Sequence, residues 1–211
     1  MLIIHSIMLQ AINLSCYRDE RVLFKDLTFT LSSGEIMQVE GENGAGKTTL
    51  LRLLTGLSRP DDGEVKWSGQ SITHQRELWH QQMIYLAHQP GVKQVLTAYE
   101  NLRFYHPTAT REAIYQALEA VELVGYEEMA VASFSAGQQR RVALARLWLT
   151  DATLWILDEP LTAIDKWGVS SLNAKFKEHL AQQGIIVLTT HQDLPHSAHP
   201  IRKLRLSAGV E

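Results

Sequence analysis

The stretch 40–56, EGENGAGKTTLLRLLTG, constrains this chain more than any other. Gly41, Gly46, Lys47 and Thr48 fill the pattern G-x-x-x-x-G-K-[ST]. Before it, 35–40 (EIMQVE) reads as a short apolar strand around Ile36, Met37 and Val39. After it, Leu50, Leu51, Leu53 and Leu54 mark the apolar face of a helix that ends at Gly56. Gly41, Gly44 and Gly46 let backbone N–H groups close around phosphate oxygens, and the helix start turns its dipole on the same anion. Lys47 is expected to reach the terminal phosphates and Thr48 to ligate Mg²⁺. Glu42, Asn43, Ala45 and Thr49 complete the expected binding stretch. An ordinary Gly-rich turn before a buried helix is the competing reading, and the complete motif in its strand–loop–helix context outweighs it.

The 211 residues, 45 % hydrophobic and 20 % charged, suit a globular chain, with one domain over 1–211 as the leading division. A net charge of -3 gives no electrostatic footprint for nucleic acid. Cys16 is the sole cysteine, so no intrachain disulfide forms, and a reducing cytosol fits. No apolar run approaches the length of a membrane-spanning helix. Residues 1–7 read as an extension from an upstream start codon ahead of Met8.

Strands are expected at 8–14 and 22–31, the second with an irregularity near Lys25 and Asp26, joined by a polar turn carrying Tyr17. Further strands are expected at 64–68, 83–87, 153–157, 185–190 and 201–206. Helices are expected at 97–105, 111–124, 138–150 and 169–182, with Ala117, Leu118, Val121, Leu123 and Val124 as one apolar face. Strands on both sides of a helical block predict a parallel α/β core with an inserted helical lobe at about 92–150.

Two further stretches narrow the chemistry. LWILDE (154–159) is an apolar strand ending in two carboxylates. Asp158 is placed to hold Mg²⁺, and Glu159, one residue on, to polarise an attacking water. Alone, this pair would read as a solvated strand end; beside the phosphate loop it reads as part of a nucleotide site. In FSAGQ (134–138), Ser135 reads as a helix cap, and Gly137 allows backbone N–H groups to approach an anion.

FSAGQ shortly before LWILDEP makes the chain resemble an ATP-binding subunit of ABC transporters, whose signature is LSGGQ. The resemblance covers essentially the whole chain. It implies a P-loop NTPase fold: a RecA-like parallel-sheet core, an N-terminal antiparallel β subdomain and an inserted helical subdomain. It implies ATP and Mg²⁺ as ligands. It makes Gln89 the glutamine that senses Mg²⁺ and water, Asp165 of LTAID a residue of the dimer interface, His191 the contact to the γ-phosphate and Tyr17 the ring that stacks on adenine. It implies a homodimer in which Ser135, Gly137 and Gln138 act on ATP held by the partner copy. Phe134 and Ala136 depart from the usual Leu and Gly.

CYRDERVLF, LTAYENLRFYH and FSAGQQRRVALARLWL are similar to the ATP-binding subunit of the haem exporter of bacterial cytochrome c maturation. This implies integral membrane partner subunits and a peripheral place on the cytoplasmic face of the inner membrane. In that family the segment 89–106 docks on the membrane subunits. Other exporters, non-transport ABC proteins and a regulatory module with little turnover are the alternatives. One phosphate loop and an acidic charge speak against the non-transport class, and the complete set Lys47, Asp158, Glu159 and His191 against the last. Direct haem binding is not expected: of nine histidines only His191 has a motif role, and His88, His196 and His199 read as loop or surface residues.

Overall fold

The computed structural model describes residues 7–18, 21–192 and 200–207. All but Ile7 of the expected N-terminal extension, Asp19 and Glu20 of the polar turn, and His196 and His199 lie outside them.

Two sheets share the core. Strands β1 (Met8–Arg18), β2 (Arg21–Ser32), β4 (Asp62–Trp67) and β5 (Gln70–Ser71) form an antiparallel sheet in the order β2-β1-β4-β5. Strands β3 (Ile36–Glu40), β6 (Met83–Leu86), β7 (Leu154–Asp158), β8 (Ile185–Thr189) and β9 (Ile201–Arg205) form an all-parallel sheet in the order β6-β7-β8-β3-β9. Every residue of β7 and β8 is buried, which is why both read as unbroken apolar runs rather than as alternations.

Strand periodicity divides this sheet between two cores. Ile156, Val187, Met37 and Val39 point to the side packed by α1 (Lys47–Leu54) and the antiparallel sheet. Trp155, Leu157, Ile186 and Leu188 point to the other side, with Leu102 of α3 (Ala98–Tyr105), Leu118 of α4 (Arg111–Glu119), Val142 of α5 (Ala136–Ala145) and Phe176 of α6 (Lys166–Ala181). The chain leaves the parallel sheet at the end of β6 and returns at β7, and these two strands pair directly. Helices α3, α4 and α5 form in that excursion.

Helix starts follow capping chemistry. Thr97 and Ser135 close capping boxes with Glu100 and Gln138, while Thr110 and Asp165 cap α4 and α6. The helix expected at 138–150 starts earlier, at Ala136, and gives way to a 3-10 turn at Arg146–Trp148.

Three expectations change. Tyr17 lies in β1, paired with Val22, rather than in a turn. The helix expected to run to 124 ends at Glu119: Glu122 adopts φ 57, and Val124 is turned out to 65 % exposure, leaving the apolar face. A short helix, α2 (Arg76–Gln82), appears where none was expected, anchored by buried Trp79, whose Nε1 donates to Thr55 O at 3.1 Å. The irregularity near Asp26 is real: Asp26 has φ 53, and the β1–β2 register shifts there.

His179, near the end of α6, is 9 % exposed and stacks on Trp155 with ring centroids 3.8 Å apart. Its Nε2 lies 3.1 Å from Thr153 O. Burial pushes its pKa down from 6.5 to about 4. Between those values the unfolded chain takes up a proton that the folded chain refuses. The stability contribution is therefore complete above about pH 6.5 and falls as pH drops toward 4, by on the order of 3 kcal/mol. Thermal unfolding should show a midpoint that declines over this window. His179→Phe, which keeps a ring against Trp155, should flatten the decline; an unchanged slope would exclude His179 as its source.

Candidate active site

The parallel sheet brings the loop after β3 and the carboxylates at the end of β7 to the same edge. α1 begins at Lys47, with Gly46 as N-cap at φ 92 and no side chain bonded to the cap. That left-handed turn suits glycine, and it leaves the first N–H groups of α1 available to an anion. Lys47 Nζ donates to Gly41 O at 2.7 Å and to Glu42 O at 3.3 Å, holding the loop around its own ammonium. An open cleft of about 490 Å³ is lined by Glu42, Asn43, Gly44, Gly46, Lys47, Thr48 and Thr49 from the loop side, and by Asp158, Glu159 and His191 opposite. Ala45 is buried beneath the loop, and Gly41 lies against Leu206 O.

The acidic pair is held from three directions. Asp158 is 2 % exposed, and its carboxylate accepts from Thr48 Oγ1 at 2.9 Å and from Thr189 Oγ1 at 2.7 Å. Thr189 stands opposite Asp158 in the β7–β8 register, and its Oγ1 also accepts from Glu159 N at 2.9 Å. Glu159 has φ 52, a left-handed conformation that costs a non-glycine residue about 1–2 kcal/mol. Its side chain is 12 % exposed, with Oε1 3.5 Å from His191 Nε2. Beyond that contact, the buried Oε1 has no hydrogen-bond partner among the described residues. A buried carboxylate oxygen without a hydrogen bond beside a polar cleft points to function rather than to stability.

This donor set fits a nucleoside triphosphate with Mg²⁺. An uncapped helix start and Lys47 would meet the phosphates, Thr48 and Asp158 would be adjacent hard-oxygen donors for the metal, and Glu159 would present an acceptor oxygen. The sequence pattern of the ABC transporter family matches residues 24–162, more than half of the chain. The chain belongs to the ABC transporter family. It is 58 % identical over 201 residues to the cytochrome c biogenesis ATP-binding export protein CcmA of Tatumella citrea, covering 95 % of this chain and 97 % of the relative. A protein of the same name from Salmonella typhi is 55 % identical over 202 residues, covering 96 % and 98 %. Among solved structures, the ATP binding subunit of an ABC transporter superposes with a TM-score of 0.78 at 26 % identity, covering 87 % of this chain and 79 % of that one. The two-sheet architecture is thus the ABC ATPase fold.

Other ABC motif positions lie off the cleft. Ser135 is exposed at the start of α5, its Oγ accepting from Gln138 N at 3.2 Å while Gln138 Oε1 accepts from Ser135 N at 2.9 Å. A Cβ on Gly137 would stand 2.8 Å from Ala163 O, so the signature helix closes on the LTAID loop only with glycine there. Asp165 caps α6 through Gly168 N at 2.8 Å and pairs with Arg141. That backbone hydrogen bond, and then the Arg141 charge, hold its carboxyl below the usual range. Tyr17 is 38 % exposed on β1. Gln89 is exposed and does not line the cleft, whereas its neighbour His88 does.

Leu23, Thr162 and His88 line the cleft without having been singled out as binding residues. Thr189 and Arg140 also escaped the sequence reading. For Thr189 the signal was present: a threonine at the end of the strand paired with LWILD. Arg140 carried no such signal, being one of two adjacent arginines in a helix.

Proposed function

We propose that this chain binds and hydrolyses ATP as the ATPase subunit of an exporter complex of bacterial cytochrome c biogenesis, driving export or release of haem or of a haem-loaded chaperone. The observation that carries the chemistry is the buried Glu159 Oε1, beside His191 and without a hydrogen-bond partner among the described residues, in the cleft that Lys47 and Thr48 line. The CcmA names of relatives matched over nearly their full length support the transport system.

The cleft residues take distinct roles. Lys47 and the N–H groups of α1 bind the β- and γ-phosphates. Thr48 and Asp158 would hold Mg²⁺, which supplies charge neutralisation when bound; Gln89 would reach the same region only after its loop moves. Glu159 Oε1 accepts the proton of the attacking water, and His191, 3.5 Å away, contacts the γ-phosphate side. Ser135, Gly137 and Gln138 act across a homodimer, because their exposed helix start serves a second copy's cleft rather than its own. Tyr17 stacks on adenine and Asp165 lies at the dimer interface. The complex includes integral membrane subunits, with this chain on the cytoplasmic face of the inner membrane, where ATP is supplied.

The test is haem staining of periplasmic c-type cytochromes in a strain deleted for this gene. Staining should be lost and should return with the wild-type gene but not with Lys47→Ala. Normal staining in the deletion strain would remove the cytochrome assignment and leave the ATPase reading standing.

A further inference from the structure

Arg140 is a buried cation with no carboxylate in salt-bridge contact among the described residues. It is 4 % exposed; its two terminal nitrogens donate to backbone carbonyls of two separate segments, while Nε finds no hydrogen-bond partner among the described residues. One terminal nitrogen donates to Ala87 O at 2.7 Å and His88 O at 3.3 Å, just past β6. The other donates to Asp158 O at 2.8 Å and Glu159 O at 2.9 Å, at the end of β7. Carbonyls at the ends of parallel strands lose their ladder partners where the strands part, and a planar guanidinium spans the gap between two such ends. Burial lowers the pKa of Arg140, while the charges of Asp158 and Glu159 act to raise it. A charge buried this deeply is costly, and the contacts of its terminal nitrogens with four carbonyls offset part of that cost.

We propose that Arg140 is the positioning residue for the Glu159 carboxylate and the link that ties the signature helix to it. The left-handed Glu159 is gripped on both sides of its backbone, by Thr189 Oγ1 at its N–H and by Arg140 at its carbonyl. Arg140 sits on α5, which starts at the exposed Ser135 cap. It reaches, in the same gesture, the His88 segment that lines the cleft. A shift of α5 is therefore delivered to Glu159 and to the cleft wall through one side chain. Arg141 next to it does something different: it faces outward to Glu122 and Asp165.

This inference rests on the reading of Glu159 as the base of ATP hydrolysis, and the test separates the two. The full chain, assembled with its membrane subunits, is compared as wild type, Arg140→Gln, Glu159→Gln and the double variant. ATP affinity and phosphate release are both measured. Arg140→Gln should bind ATP within about threefold of wild type, since the phosphate loop is untouched, and should lower kcat about tenfold or more. In the Glu159→Gln background, the same change should leave the residual rate within about twofold, because the group it positions is already gone. Equal slowing in both backgrounds, or a wild-type kcat for Arg140→Gln, would overturn the proposal. If Glu159→Gln itself hydrolyses at the wild-type rate, the underlying reading of Glu159 fails, and the proposal with it. Circular dichroism monitors folding; should the Gln variant not fold, Arg140→Lys, which keeps the buried charge, carries the same comparison.

Discussion

Lys47→Ala is expected to weaken ATP binding about 100-fold or more and to abolish hydrolysis. The Lys47 ammonium donates to Gly41 O and Glu42 O, so its charge is met by backbone. On nucleotide binding those contacts are exchanged for phosphate oxygens. Charge-assisted hydrogen bonds are worth roughly 1.5–3 kcal/mol each, and two of them account for a loss of this size. The fold should survive, because α1 is anchored by Leu50, Leu51, Leu53 and Leu54 on its buried face. Equilibrium binding of a fluorescent ATP analogue, with circular dichroism as the folding control, checks both halves. Wild-type affinity in a folded variant would show that the loop backbone alone binds the phosphates.

Glu159→Gln should separate binding from turnover. The substitution is isosteric, and Glu159 Oε1 has no hydrogen-bond partner among the described residues to lose, so stability should change little. What disappears is the proton acceptor, a loss on the order of 10²–10⁴ in rate. ATP held without being cleaved should trap two copies face to face. Phosphate release measures the first effect, and size-exclusion chromatography with ATP and Mg²⁺ the second. A Gln variant that stays monomeric even with its membrane subunits would contradict the two-copy arrangement proposed for Ser135 and Gly137.

The phosphate loop, the buried strand ending at Asp158 and the cap at Ser135 could be read directly, because each is a local pattern: an apolar run, a glycine, a capping residue. The parallel core around them was legible for the same reason, since β7 and β8 are apolar up to their last residues, Asp158 and Thr189. What escaped depends on contacts between distant segments. α2 has seven residues and one buried side chain, too little for a period to show. The early end of α4 is set by the left-handed Glu122 rather than by any glycine or proline at that point. Tyr17 looked like a turn residue because CYRDER is charged, yet pairing with Val22 extends β1 through it. Arg140 and Arg141 are indistinguishable in sequence. Only the packing of α5 over the ends of β6 and β7 makes one a buried anchor and the other a surface partner.

The order of strands in the parallel sheet also sets a long delay between the making of the phosphate loop and the making of the strands beside it. β3, which leads into the phosphate loop, is among the first segments to leave the ribosome. Its two neighbours in the sheet, β8 and β9, are among the last. Closing contacts over so long a separation is slow and entropically costly, and it waits for β8 and β9 to be made. A nascent chain thus carries its most recognisable motif long before both strands that flank β3 exist to pair with it.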